Sequence, residues 1–104
     1  AARIENRIAE PAANPYLAIA AQVHAGLDGL ARGLEPLPAG DGPPLPAGLG
    51  EALDALAADA AIGTDGLGAA AVDLYTRIKR HELARHAAAE DPTEWERREY
   101  FARL

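Results

Sequence analysis

At 104 residues the chain is one domain at most, and it is small for an enzyme that must enclose a nucleotide and a second substrate by itself. Its 49% hydrophobic content is inflated by Ala, with one Trp, three Tyr and one Phe, so any core is expected to consist of close-packed helices. A net charge of -6 argues against nucleic acid and anionic membranes as partners, and the absence of cysteine excludes disulfides, thiolate nucleophiles and zinc ribbons.

The first element is a strand over residues 1–10, closed by Pro11, which lacks a ladder donor. Its period-two pattern puts Arg3, Glu5 and Arg7 on one face. Two guanidiniums around a carboxylate suit a site for an anion and a metal, because Arg forks onto phosphate or carboxylate and Glu offers oxygen to a hard cation. On residue types alone an ion-pair ladder at a barrel or interface is the simpler reading. A lone strand also needs partners from elsewhere, and the sequence opens without Met, so the chain reads as a piece of something longer.

A helix over 14–34 follows, with Asn14 as N-cap, Pro15 in the first turn, and a stripe of Tyr16, Ala20, Val23, Leu27, Leu30 and Leu34 expected to be buried. Gly26, Gly29 and Gly33 run beside it, which fits either a close backbone neighbour or a C-terminal cap at Gly33. Residues 35–46 hold five of the eight prolines and form a loop. A second helix over 47–61 carries Leu49, Leu53 and Leu56 inward and Glu51, Asp54 and Asp59 outward. The third, over 65–89, is capped by Thr64 or Asp65 and has the stripe Leu67, Ala71, Leu74 and Ile78. The last, over 92–104, opens on Asp91-Pro92-Thr93-Glu94, a capping-box-like start. The fold class expected is mainly α, one N-terminal strand plus about four helices. No apolar run is long enough to span a bilayer, no export signal is visible, and a cytoplasmic location is the simplest reading.

Most other clusters carry little chemistry. His81 and His86 lie five apart, about 140° around a helix, so they do not share a zinc as an i, i+4 pair would, and both are expected to face solvent. His24 is expected to be packed or partly exposed beside the first helix's stripe. Arg77, Lys79, Arg80 and Arg85 complement a helix C-terminus, and Gly63–Gly68 lacks the Lys of a phosphate loop.

Arg3-Ile4-Glu5-Asn6-Arg7, then Ala12-Ala13-Asn14-Pro15-Tyr16-Leu17 and Ala25-Gly26-Leu27-Asp28-Gly29-Leu30, resembles the C-terminal part of glutamine synthetase. The resemblance extends through Gly48–Leu56, Val72–Tyr75 and Trp95–Phe101 and so covers nearly the whole chain. It implies an α+β parent domain with an antiparallel active-site sheet, and a homo-oligomer whose sites form between subunits. The implied reaction is an ATP-dependent ligation of glutamate to ammonia or another amine through γ-glutamyl phosphate. Glu5 would be a ligand of Mg²⁺ or Mn²⁺, Arg3 would neutralise ATP phosphate charge, and Arg7 would grip glutamate. Asn6 departs from the apolar residue more common in ammonia users and is similar to branches that ligate other amines, such as γ-glutamylpolyamine synthetases. The loop over 35–46 has no Tyr for adenylylation. The expectation is therefore a fragment of a ligase, inactive alone. The alternative is a self-standing helical interaction module without catalysis.

Overall fold

Asn14 starts the first helix by accepting the backbone N–H groups of Tyr16 (3.0 Å) and Leu17 (3.2 Å) on its Oδ1, while Pro15 fills the first turn. The computed structural model describes residues 2, 3, 5, 6, 8–10, 12–38 and 40–101. Helix α1 spans Pro15–Ala31 and stops at Gly33, whose φ of 61° belongs to the left-handed region. There the N–H of Leu34 bonds Gly29 O (2.9 Å) and that of Gly33 bonds Leu30 O (3.2 Å), the paired bonds of a Schellman cap. A side chain at Gly26 or Gly29 would meet nothing within 4 Å among the described residues, so capping accounts for Gly33 and no described backbone approaches the other two.

Helix α2 spans Leu49–Ala58, with the Glu51 carboxylate reaching back to the N–H of Ala47 at 2.8 Å. Its amphipathic pattern holds: Leu53 is 2% exposed, Leu49 and Leu56 are half-buried, and Glu51, Asp54 and Asp59 face out. The next segment departs from the expected cap at Thr64 or Asp65. Residues Gly63–Gly68 form a π-helical turn in which Asp65 N–H and Leu67 N–H reach five residues back, to Ala60 O (2.8 Å) and Ile62 O (2.9 Å). Helix α3 then runs Ala69–Ala87 from Gly68, which takes a φ of 90° and gives no side-chain cap. Helix α4 spans Pro92–Phe101, and Asp91 Oδ1 accepts the Glu94 N–H at 3.1 Å.

The burial pattern corrects two stripes. Tyr16 is 83% and Leu30 81% exposed, and Val23, Leu27 and Leu34 are exposed as well, because among the described helical elements α1 packs against the π-helical turn alone, through the side that carries Leu17, Ala18, Ala21 and His24. On α3, Leu74 and Ile78 are exposed, whereas Tyr75, Thr76, Lys79, Glu82 and His86 turn toward the neighbouring helices. Lys79, Glu82 and His86 are accommodated on that inner face by bonds to one another or to Tyr100 and Glu96 of α4, whereas the buried Thr76 Oγ1 has no hydrogen-bond partner among the described residues.

The molecule measures 47 × 31 × 26 Å with a radius of gyration of 15.7 Å. A compact domain of this length would have about 13 Å. Leu53 is the fully buried large apolar side chain among the described residues, so the helices form a thin layer rather than a closed core. No strand occurs among the described residues. Residues 2, 3, 5, 6 and 8–10 take no regular structure, which follows from the lack of a neighbouring strand to pair with. The architecture is thus mainly α.

Candidate functional site

The segment ahead of α1 carries the candidate chemistry. Arg3 Nη2 stands 3.6 Å from Glu5 Oε2, with the side chains 79% and 47% exposed, so the two charged groups lie on one side of an irregular segment. Arg7, the third member of the pattern, lies outside the described residues. Asn6 turns elsewhere: its Oδ1 accepts the Ile8 N–H at 2.8 Å, and its side chain borders an open groove along Ile19, Val23 and Leu27 of α1. The segment is also tied down near α1, where Glu10 Oε2 accepts the Ala12 N–H (2.8 Å) and Glu10 O accepts the Ala13 N–H (2.9 Å).

Chemically this is one wall of a site. A hard divalent cation takes about six oxygen ligands, and no group of three or more His, Cys, Asp or Glu capable of holding a metal occurs among the described residues. The Glu5 carboxylate has the right donor chemistry for one position in such a shell. The rest of the shell is not present among the described residues.

A second constellation escaped sequence reasoning. Glu82 is 6% exposed, and its Oε2 accepts both the Lys79 ammonium (2.7 Å) and the Tyr100 hydroxyl (3.2 Å). Burial pushes the Lys79 ammonium down, but the hydrogen bond and charge of Glu82 outweigh it and hold the group above its ordinary range. Burial, then the Glu82 charge, pushes the Tyr100 phenol up. The Lys79 ammonium also lies 5.7 Å from the Tyr100 ring centroid. The available signal was the i, i+3 spacing of Lys79 and Glu82, with Tyr100 a helix away. With two donors on one carboxylate oxygen, this cluster ties α4 to α3.

His86 corrects the solvent-facing reading: its Nε2 is 3.2 Å from Glu96 Oε1 and its ring meets Trp95 edge-on at 5.5 Å. His81 is exposed as expected, and His24 packs over Gly66. Asp54 pairs with Arg80, Arg85 Nη2 lies 2.9 Å from Glu99 Oε2, and Arg77 is 3.6 Å from Asp73, so the basic patch of α3 is engaged within the chain. A mostly apolar cleft of about 220 Å³ separates Leu17 and Ala21 of α1 from Leu56, Val72 and Tyr75. No single described helix is long and apolar enough to cross a membrane.

Comparison with known proteins agrees with the motif. No solved structure matches. Among curated proteins the chain is 42% identical to a γ-glutamylanilide synthase of Acinetobacter sp, over 97% of this chain and 23% of that protein. It is 34% identical to a glutamine synthetase of Halobacterium salinarum, over 99% of this chain and 25% of the relative, and 38% identical to that of Pasteurella multocida, over 92% and 24%. The chain therefore spans about a quarter of the length of the curated relatives it matches. Residues 1–100 match the family model described as the glutamine synthetase catalytic domain, and the chain belongs to that family.

Proposed function

We propose that the chain acts as part of a longer ATP-dependent ligase that joins glutamate to an amine through γ-glutamyl phosphate. The observation that carries this reading is the Arg3–Glu5 pair, which shares one side of a segment lying inside the family match. Phosphoryl transfer needs charge neutralisation and positioning more than covalent help from the protein. Arg3 neutralises phosphate charge, Arg7 holds the glutamate carboxylate, and Glu5 gives one oxygen ligand to Mg²⁺ or Mn²⁺. When bound, that ion offsets the negative charge on the reacting phosphate oxygens. The remaining ligands, the nucleotide contacts and the antiparallel sheet come from the rest of the polypeptide, with further contacts from neighbouring subunits of a homo-oligomer, and the protein works in the cytoplasm. The thin helical layer, with few side chains fully buried, weighs for a part of a larger domain over a self-standing interaction module.

The acceptor amine is larger than ammonia in this reading. Support comes from the 42% identity to a protein named for γ-glutamylanilide synthesis and from Asn6 between the two site residues. The test is steady-state kinetics of the full-length protein with glutamate, ATP and a panel of amines including ammonia and aniline. Glu5→Ala is expected to abolish metal-dependent turnover and Arg7→Ala to raise the KM for glutamate. Near-normal kinetics in both would remove the site assignment. The 104-residue chain by itself is expected to form no γ-glutamyl hydroxamate, and clear turnover would show that it carries a whole site.

A further inference from the structure

We propose that the bare face of α1 is the seat of an uncharged, aliphatic layer of the same polypeptide, supplied by the part of the catalytic domain outside these 104 residues. The inference rests on the reading of the chain as part of a longer ligase and names the surface through which the two parts are joined. Helix α1 is apolar on two sides. Leu17, Ala18 and Ala21 form the side that packs on the π-helical turn. The other side presents Tyr16, Ile19, Val23, Leu27 and Leu30, each between 54% and 83% exposed. Among the 17 residues of the helix Asp28 is the one charged side chain, and it pairs with Arg32 at 3.0 Å. A helix that is apolar around most of its circumference is built to be covered on both sides. On α3, by contrast, the exposed Leu74 and Ile78 share their face with Arg77 and His81, as on a solvated surface.

Size and connection select the occupant. A helix of 17 residues is about 25 Å long and about 10 Å wide, so its face offers a footprint of roughly 250 Å². Separate molecules that associate stably bury about 800 Å² each and must also offset lost translational and rotational freedom. A segment already joined through the backbone escapes most of that cost and needs only a small apolar seat. Such a segment is available, since the chain spans about a quarter of the length of its curated relatives. The groove along this face is also bordered by Asn6, so whatever covers α1 adjoins the segment that carries Arg3 and Glu5.

The experiment uses the full-length protein carrying Val23→Cys or Leu30→Cys, two positions on the same face. Cys is close to Val in size, so Val23→Cys reports on the face without opening a large cavity. The rate of alkylation by N-ethylmaleimide is read at each position by peptide mass spectrometry, in the native protein and in urea. Both positions are expected to react at least about a hundredfold more slowly in the native protein, because the thiol is reached only through local opening. That protection should persist at dilutions where gel filtration shows single protomers. Native alkylation close to the urea rate at either position would overturn the proposal by leaving the face in solvent. Protection that vanishes on dilution to protomers would overturn it as well, by giving the face to a second copy. Turnover with glutamate, ATP and an amine tests the ligase reading separately. Fast alkylation in an active enzyme would bring down this inference alone, and slow alkylation in a protein without ligase turnover would remove the ligase reading while the covered face stands.

Discussion

Tyr100 on α4 donates its hydroxyl to the same Glu82 oxygen on α3 that takes the Lys79 ammonium, so one buried carboxylate joins two helices. Carboxylates are rarely buried unless paired, and this one is satisfied by a cation and a phenol together. Tyr100→Phe removes one bond without emptying the space and is expected to destabilise α4 docking by about 1 kcal/mol. Lys79→Met leaves the carboxylate without its cation and should cost more, about 3 kcal/mol. Amide hydrogen exchange of α4 measures both. Equal losses in the two variants would mean that the charge pair contributes no more than a neutral hydrogen bond.

The same cluster sets an alkaline limit. Lys79 and Tyr100 both hold their protons more tightly in the folded chain than in an unfolded one. The folded state therefore binds more protons once pH passes the unfolded values of about 10. Their contribution is complete below that pH and is lost as pH rises through the folded values. Emission of Trp95, the single Trp of the chain, which meets Tyr100 edge-on at 6.1 Å, is expected to change above about pH 10. The change should shrink in Tyr100→Phe, and an identical transition in both proteins would rule the cluster out as its cause.

How far the sequence reached depends on where each element finds its partner. The caps at Asn14 and Asp91 were legible because they are local: a short polar side chain bonds N–H groups two or three residues on. Leu53 was legible because α2 has a single apolar face. Tyr16, Leu27 and Leu74 misled because periodicity identifies an apolar face without saying whether this chain contains the surface that covers it. Glu82 stayed hidden because its burial depends on Tyr100, a contact across helices that no spacing rule encodes. At the candidate site, the sequence supplied the Arg-Glu-Arg pattern, while the Arg3–Glu5 approach and the Asn6 to Ile8 hydrogen bond emerge only in three dimensions.

Acid acts on α4 through a different group. Hydrogen bonds from Arg97 and Arg98, at 2.9 and 2.7 Å in ion-pair distance, hold the Glu94 carboxyl below its ordinary range. Its stabilising effect is present above the unfolded value of about 4.3 and fades as pH falls through the folded one. Because Glu94 is solvent-screened, the effect is expected to be small and to disappear in 1 M salt. Helicity of an α4 peptide between pH 6 and 2, with and without salt, tests it, and a salt-independent loss would point away from these pairs.

Leu53 is the residue on which α2–α3 packing most depends, since it alone among the described large apolar side chains is fully buried. Leu53→Ala is expected to cost about 2–5 kcal/mol, the transfer term plus a residual cavity. Leu74→Ala, on an exposed stretch of α3, should cost far less within this chain. Denaturant unfolding of the 104-residue chain compares them. Similar losses would indicate that Leu74 is covered when the chain is in solution.

Glycine has opposite meanings at two places. At Gly66 a Cβ would stand 2.6 Å from Ala61 O and 2.9 Å from His24 Cγ, so Gly66→Ala must displace either a backbone carbonyl of the π-helical turn or the α1 contact. Overpacking of this kind costs about 1–3 kcal/mol. At Gly26 nothing lies within 4 Å, and the residue sits in helical backbone, so Gly26→Ala is expected to stabilise α1 by about 0.5–1 kcal/mol. Far-UV circular dichroism of the two variants should therefore move in opposite directions, with Gly66→Ala separating α1 from the turn and Gly26→Ala raising helicity. The α1 contact rests on the turn alone among the helical elements. A Gly66→Ala protein that retained full helicity and an unchanged midpoint would show that His24 and Ala61 yield at little cost and that the turn is no fixed seat for α1.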